Sequence, residues 1–335
     1  MFISLFSLLM PISFCSTIPS IGFGTAGLGP ATEAALNAAL LAGYPVLDVA
    51  STRGPWYDSE PLAHTWCNAG RTIVTKVHPF DLSADGVAWS ICQSTYHLAN
   101  RPMPPDSRPR EGGCSIDALV ALASDRPCDV HVLLHYPRCW GSLCDWDSVR
   151  FTSDADRAAA LAYAGDDEAD ARRDWRVAYR VLSDAQSARL VDGIGVSNFN
   201  AAELAELGQL IAASPDTLVW PSQVQGWADP FWQARAEREA AAALGARFVA
   251  YSSLGTQWRN GNPIASSTVL HDIATSVDRS VAQVVLRYLL QREVAVIPRS
   301  SSPAHIEENL RLGDFELSDE QLAAIDALDG TAGHP

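Results

Sequence analysis

Three short apolar runs each carry an ionisable side chain near the C-terminal end: Asp48 in Val46-Leu47-Asp48-Val49-Ala50, Lys76 in Ile73-Val74-Thr75-Lys76-Val77, and His135 in Leu133-Leu134-His135-Tyr136-Pro137. Such runs read as parallel strands buried on both faces, where an unpaired charge is costly. The charges must meet, and pairing Asp48 with Lys76 removes most of the penalty, as a purely structural ion pair also would. Tyr57 follows the second run, within reach of the same face. A phenol titrates near ~10 in water and a neighbouring ammonium favours its phenolate, so Tyr57 beside Lys76 reads as a general acid. His135 can hydrogen-bond a carbonyl oxygen and aim it. The chemistry implied is proton donation to a carbonyl that receives a hydride from a nicotinamide.

A second constellation lies near the C-terminus. The apolar run Val294-Ala295-Val296-Ile297 leads to Arg299-Ser300 and then to Ser302-Pro303-Ala304-His305-Ile306-Glu307-Glu308-Asn309. This spacing predicts a strand that delivers a guanidinium and hydroxyls to a helix N-terminus, with Ser302 as N-cap and Pro303 at the first helical position. Unpaired N–H groups and the positive end of the helix dipole favour an anion there, and Arg299 adds a planar donor that keeps its proton. It reads as a phosphate site.

The elements that must position these groups alternate along the chain. Strand candidates are Ser20 to Thr25, Pro45 to Ala50, Thr72 to Val77, Asp129 to Tyr136, Gly193 to Ser197, Ser222 to Gln225, Arg247 to Ser252 and Val294 to Pro298, separated by Ala-rich amphipathic stretches. Eight βα pairs make the closed-barrel number, and barrel chemistry sits at the C-terminal ends of the strands. Asn200-Ala201-Ala202-Glu203 and Ser318-Asp319-Glu320-Gln321 are capping boxes, the second opening an extra C-terminal helix. Two segments break the rhythm, Arg101 to Gly113 and Arg138 to about Asp167, the second placed to wall the pocket. The expected architecture is α/β, a (β/α)8 TIM barrel in one domain over residues 18–330, with an apolar extension over 1–17 and a short tail over 331–335.

Composition narrows the class. A hydrophobic fraction of 47% in 335 residues supports a large core, and 19% charged residues with a mean hydropathy of +0.01 argue against disorder or a multi-span membrane protein. The formal net charge of −15, with no Lys/Arg cluster, opposes nucleic acid and anionic membranes as partners. Seven cysteines show neither CxxC nor zinc-type spacing, so reduced thiols are the expectation, Cys139 with Cys144 being the pair most open to bonding. Met1 to Met10 resembles the apolar core of a signal peptide without a preceding Lys or Arg. The expected location is cytoplasmic, with the secretory pathway or an organelle as the alternative.

Taken together, these motifs resemble the aldo-keto reductase family over essentially residues 18 to 330. The matching stretches are Ile18-Pro19-Ser20-Ile21-Gly22-Phe23-Gly24-Thr25, Asp48-Val49-Ala50 with Tyr57-Asp58-Ser59-Glu60, Thr75-Lys76, His135, Gly195-Val196-Ser197-Asn198-Phe199, Gln223, Tyr251-Ser252-Ser253-Leu254-Gly255, Ile297-Pro298-Arg299-Ser300 and Glu308-Asn309-Leu310. The resemblance implies a barrel that binds NADP(H), with NAD(H) as the alternative, and reduces an aldehyde or ketone. It implies Asp48, Tyr57, Lys76 and His135 as a catalytic tetrad. Ser197, Asn198 and Gln223 are similar to the holders of the nicotinamide carboxamide, and Tyr251 to the ring on which the nicotinamide stacks. Ser252 and Leu254 match positions around the pyrophosphate. Arg299, Ser300, Glu308 and Asn309 match the adenosine 2′-phosphate and adenine site, and Thr25 a position near the cofactor ribose.

The chain departs from the family pattern in places. Thr52-Arg53-Gly54-Pro55 look like an insertion between Asp48 and Tyr57, Ala26, His78 and Tyr136 stand where tryptophan is frequent, and His305 stands where arginine is common. Trp140, Trp146, Trp227, Trp232 and Trp258 suggest an aromatic-walled pocket for a small carbonyl substrate. A nucleotide-binding sensor or accessory protein of the same fold could retain every residue named here. A metal-dependent hydrolase using His78, His131, His135 and Asp48 fares worse. Four residues of strand separate His131 from His135 by roughly 13 Å, too far for one ion about 2 Å from each ligand. No metal is expected.

Overall fold

The alternation of β-branched runs and Ala-rich stretches is realised as one eight-stranded parallel sheet in sequence order. In this computed structural model the strands are β1 Phe23–Gly24, β2 Val46–Asp48, β3 Thr72–Val77, β4 Val130–Leu134, β5 Gly193–Ser197, β6 Gln223–Trp227, β7 Arg247–Tyr251 and β8 Ala295–Val296. The structure describes residues 19–52, 56–102, 114, 116–139, 174–258 and 261–333. The apolar segment over 1–17, most of the two predicted insertions, and Trp140, Cys144 and Trp146 lie outside them.

The ring closes where the first strand meets the last. Ile21 bridges Val296 in parallel, the Gly22 N–H donates to the Val296 carbonyl (2.9 Å) and the Gly24 N–H to the Pro298 carbonyl (3.1 Å). A side chain on Gly24 would lie 2.6 Å from the Ile297 carbonyl oxygen, so the glycine is what lets the two backbones approach. Strands β2 and β8 are shorter than the runs predicted over Pro45 to Ala50 and Val294 to Pro298, though the Val49 N–H still donates to the Val74 carbonyl at 2.8 Å beyond the end of β2.

Register explains how separate strands present one cluster. Asp48 pairs with Val74 and Lys76 with Leu133. Side chains alternate between faces, so Val46 and Asp48 share a face, as do Val74 and Lys76, and Leu133 and His135. Val46, Val74 and Leu133 form an apolar cluster apart from the main core. They lie one layer deeper than Asp48, Lys76 and His135, sealing the ring from below. The main core, with Leu47, Ile73, Val132 and Ile194 among its members, fills the space between the sheet and its helices.

Helix boundaries follow local chemistry. The capping boxes expected at Asn200 and Ser318 both form, and Ser280 with Gln283 makes another. The extra C-terminal helix Asp319–Asp326 docks through buried Leu322 and Ile325. Among the described residues no helix is long and apolar enough to cross a membrane.

The cysteines correct the expectation of reduced thiols. Cys67 is bonded to Cys128 with Cα atoms 4.8 Å apart, Cys92 to Cys114 at 6.1 Å, and Cys139 is disulfide-bonded as well. The partners are 61 and 22 residues apart in sequence, so spacing carried no sign of them, and only the folded path of the chain brings them together.

Candidate active site

At the C-terminal end of β2 and β3, the Lys76 ammonium donates to Asp48 Oδ1 at 2.6 Å and to the Val49 carbonyl at 2.9 Å, with both side chains 3% exposed. The other carboxylate oxygen accepts from Gln225 Nε2 at 2.6 Å. Thr25 holds the frame behind them, its hydroxyl donating to the Asp48 carbonyl (2.8 Å) and lying 2.7 Å from Ser59 Oγ. Every charge in this cluster has a partner, which is what makes its burial affordable.

Tyr57 and His135 complete the group. The Lys76 ammonium lies 5.5 Å from the centre of the Tyr57 ring, and the Tyr57 and His135 rings meet edge-on with centroids 5.7 Å apart. The structure therefore brings all four sequence-predicted catalytic residues together. Their titration differs from the expectation of an acidified phenol. Burial, with the Asp48 charge next, holds the Tyr57 phenol well above its ordinary value. The Lys76 ammonium is bonded to Asp48, and the opposing pull on the phenol, that of the Arg299 guanidinium, is outweighed by removal from water. Burial also lowers Lys76, against the opposing effect of Asp48, and holds His135 well below the usual histidine range, with Lys76 and His78 adding to that. At neutral pH the site thus presents a protonated phenol and a neutral imidazole.

Across the ring, β5 to β7 supply an amide-rich wall. Asn198 Nδ2 donates to the His135 carbonyl (2.8 Å) and to Ser197 Oγ (3.2 Å), its Oδ1 accepts from the Tyr251 hydroxyl (2.6 Å), and its N–H donates to the Gln225 carbonyl (2.9 Å). Asn198 and Ser252 take left-handed backbone conformations, φ 61° and 53°, immediately after β5 and β7. Gln223 is fully buried, yet neither its Nε2 nor its Oε1 has a hydrogen-bond partner among the described residues. A buried primary amide left wholly unsatisfied is costly. A cavity of about 610 Å³ opens beside Asn198 and Tyr251, walled by Tyr136, Trp227, Trp232 and Gln257.

The strand-to-helix turn expected to hold a phosphate forms with one difference. The helix Pro303–Leu310 begins where predicted, with Ser302 as N-cap and Pro303 first, but the Ser302 side chain makes no cap bond. Ser300 Oγ instead accepts from the Ser302 N–H at 3.0 Å. The Arg299 guanidinium bonds the Ala26 carbonyl across the β1–β8 seam. Glu308 is half-buried and Asn309 buried on the same helix. Ser252 Oγ accepts from Gln257 (3.2 Å) and the Leu254 carbonyl from Asn262 (2.8 Å), which fixes the loop after β7.

Sequence reasoning missed two carboxylate contacts. Gln225 follows Gln223 by two residues in a buried strand, and that alternation was the available signal. Asp229, fully buried, accepts from the indoles of Trp227 (3.1 Å) and Trp258 (2.8 Å) and from the Phe231 and Trp232 N–H groups, tying the loops after β6 and β7 together. His131 belongs elsewhere, its Nδ1 lying 3.1 Å from Ser222 Oγ. His78 Nδ1 accepts from the Phe80 N–H. Among the described residues no cluster of three or more His, Cys, Asp or Glu side chains could hold a metal ion.

A family model described as "Aldo/keto reductase family" matches residues 20–330. A Melia azedarach protein named 7-acetyl-epi-neemfruitin B aldo-keto reductase is 33% identical over 158 residues, covering 46% of this chain and 47% of that protein. Aldo-keto reductase family 1 member D1 of Rattus norvegicus is 32% identical over 157 residues, 45% of this chain and 47% of its own. The chain spans about half the length of the curated relatives it matches. Among solved structures, an aldo/keto reductase from Brucella melitensis superposes with a TM-score of 0.65 at 23% identity, covering 93% of this chain and 95% of that one. A Bombyx mori aldo-keto reductase in complex with NADP gives 0.67 at 22%, covering 93% and 89%. At these identities the structures speak for the shared barrel.

Proposed function

The chain belongs to the aldo/keto reductase family, and from that premise we propose that it reduces an aldehyde or ketone to an alcohol with NADP(H) as hydride carrier. The observation that carries the reading is Gln223. Its buried, unpartnered amide offers a donor and an acceptor side by side, the complement of a primary carboxamide such as that of a nicotinamide. On the neighbouring strand Gly195 pairs with Gln223 and Ser197 with Gln225, Asn198 follows at the end of β5, and Tyr251 offers an aromatic face already anchored to Asn198. When bound, the nicotinamide supplies the hydride, and the remaining work falls to the protein.

Tyr57 is the proton donor. Its raised pKa keeps it protonated at neutral pH, and an alkoxide forming beside it is a far stronger base than a phenolate, so transfer runs downhill. Lys76, fixed by Asp48, is the positive charge that receives the phenolate left behind. His135, held neutral, has one N–H to orient the carbonyl oxygen without adding charge. Arg299, with Ser300, Glu308 and Asn309, is the set that would hold a 2′-phosphate and adenine, which favours NADP(H) over NAD(H). Trp227, Trp232, Tyr136 and Trp258 supply an apolar surround for a small carbonyl compound.

The disulfides bear on location. Cross-links between residues far apart in sequence are the habit of oxidising compartments, which favours the secretory alternative over the cytoplasmic expectation. Mass spectrometry of the alkylated, unreduced protein checks this, and alkylation at Cys67, Cys92, Cys114 and Cys128 would contradict it. The activity is tested by following NADPH and NADH oxidation with a panel of small aldehydes and ketones, alongside NADPH binding by fluorescence quenching. Turnover with NADPH preferred supports the reading. Binding without turnover across the panel would favour a nucleotide-sensing role, and binding of neither cofactor would overturn both.

A further inference from the structure

We infer that Gln225 is a positioning residue for the reaction: its side-chain amide fixes the Asp48 carboxylate, and strand β6 thereby ties the cofactor wall to the proton-donating cluster. The inference rests on the reductase reading of the site. Gln225 is 1% exposed and donates to Asp48 Oδ2 at 2.6 Å, while Lys76 takes Oδ1 at the same distance. In a closed ring of eight strands in sequence order, β6 lies opposite β2. The contact therefore crosses the interior of the barrel, and the carboxylate is gripped from two sides, one oxygen by each donor. With both oxygens held, Asp48 cannot rotate, and the ammonium it carries cannot drift from Tyr57.

The same residue reaches the other half of the site. The Gln225 carbonyl accepts from the Asn198 N–H at 2.9 Å, and Gln223, two residues earlier, shares its strand face. One rigid strand thus carries the unpartnered amide that would meet the cofactor and the amide that anchors Asp48. Chemistry also dictates which residue can stand at 225. A carboxylate in hydrogen-bond contact with Asp48 could not be ionised at the same time, so only a neutral donor leaves Asp48 charged and paired with Lys76. Glutamine supplies that donor at every pH, whereas glutamic acid supplies it only while protonated.

The test compares wild type, Gln225→Leu and Gln225→Glu for kcat, KM, NADPH dissociation constant and the pH dependence of kcat. For Gln225→Leu we expect kcat to fall at least about tenfold, the equivalent of one hydrogen bond to a charged group, with NADPH affinity unchanged. For Gln225→Glu we expect activity near wild type in acid that falls as pH rises and the introduced carboxyl ionises, a profile that a merely structural role would not create. Wild-type kcat in Gln225→Leu, or an unshifted pH profile in Gln225→Glu, would overturn the inference while leaving the reductase reading intact. Should Gln225→Leu fail to fold, the Gln225→Glu profile decides alone. Absence of turnover by the wild type across all carbonyls would instead defeat the reductase reading, and the inference with it.

Discussion

Two buried carboxylates flank strand β3, one on each face. Lys76 and Thr75 are neighbours in sequence, so their side chains leave the strand in opposite directions. Inside the ring, Lys76 meets Asp48. Outside it, Thr75 donates to Glu60 Oε1 at 2.6 Å, Ser94 donates to the same oxygen at 2.7 Å, and His97 Nδ1 lies 3.2 Å from Oε2. Burial pushes Glu60 up, but the His97 contact and the two hydroxyls more than offset it, leaving the carboxyl below its usual range. Both charges are bought back by good partners, and burial alone does not distinguish them. The difference lies in what stands next. The outer carboxylate is consumed in holding a helix to the sheet, while the inner one carries an ammonium that faces a phenol and an imidazole.

This contrast ranks the consequences of disturbing each side. The largest effect is expected for Lys76→Met, which strands Asp48 as an unpaired interior charge: a loss of about 3–5 kcal/mol in urea unfolding, together with loss of NADPH oxidation. Opening Cys92–Cys114, by the double change to alanine, should cost about 3 kcal/mol, the loop-closure entropy expected for partners 22 residues apart. Cys92 shares the helix Ala84–Leu98 with Ser94 and His97, so the outer cluster should loosen while NADPH affinity holds. Glu60→Gln should lower stability by about 1.5–3 kcal/mol, the worth of hydrogen bonds to a charged group, with kcat preserved. A fall in kcat as deep as that of Lys76→Met would erase the distinction between the two faces.

The pH dependence of unfolding sharpens it with a smaller signal. Native His135 is held below its ordinary value, so from about pH 6.5 downward the unfolded chain takes up a proton that the folded one refuses, and stability falls as acid is added. Native Glu60 is likewise depressed, but its unfolded counterpart binds a proton only from about pH 4.3 downward, so its contribution is lost later. The inner cluster should therefore give way first in an acid titration. The His135 share of the slope is at most about 1.4 kcal/mol per pH unit, and His135→Phe should remove that share while leaving the one from His131, which burial also depresses. On the cofactor side, Arg299→Ala should weaken NADPH more than NADH in a binding titration, equal losses meaning that the guanidinium does not meet the 2′-phosphate.

Much of this was legible beforehand because the barrel repeats a simple pattern. An apolar strand with a polar residue near its end is conspicuous, and period two then decides which face Asp48, Lys76 and His135 share. The Asp48–Lys76 pair followed from the cost of lone buried charges. What escaped depended on distances that no single strand encodes. The Tyr57 phenol went against expectation because burial, with the Asp48 charge next, raises it more than the Arg299 guanidinium lowers it. Gln225 reaches its partner across the ring, the disulfides join segments far apart in sequence, and Ser300 rather than Ser302 supports the start of the helix Pro303–Leu310.

The central claim is that the Tyr57 hydroxyl gives the proton that completes carbonyl reduction. Tyr57→Phe removes that one atom and keeps the ring against His135. Measured side by side with wild type, it should bind NADPH with unchanged affinity while kcat falls by about 10²–10⁴-fold. Wild-type turnover in the variant would contradict the account and assign the proton to another group.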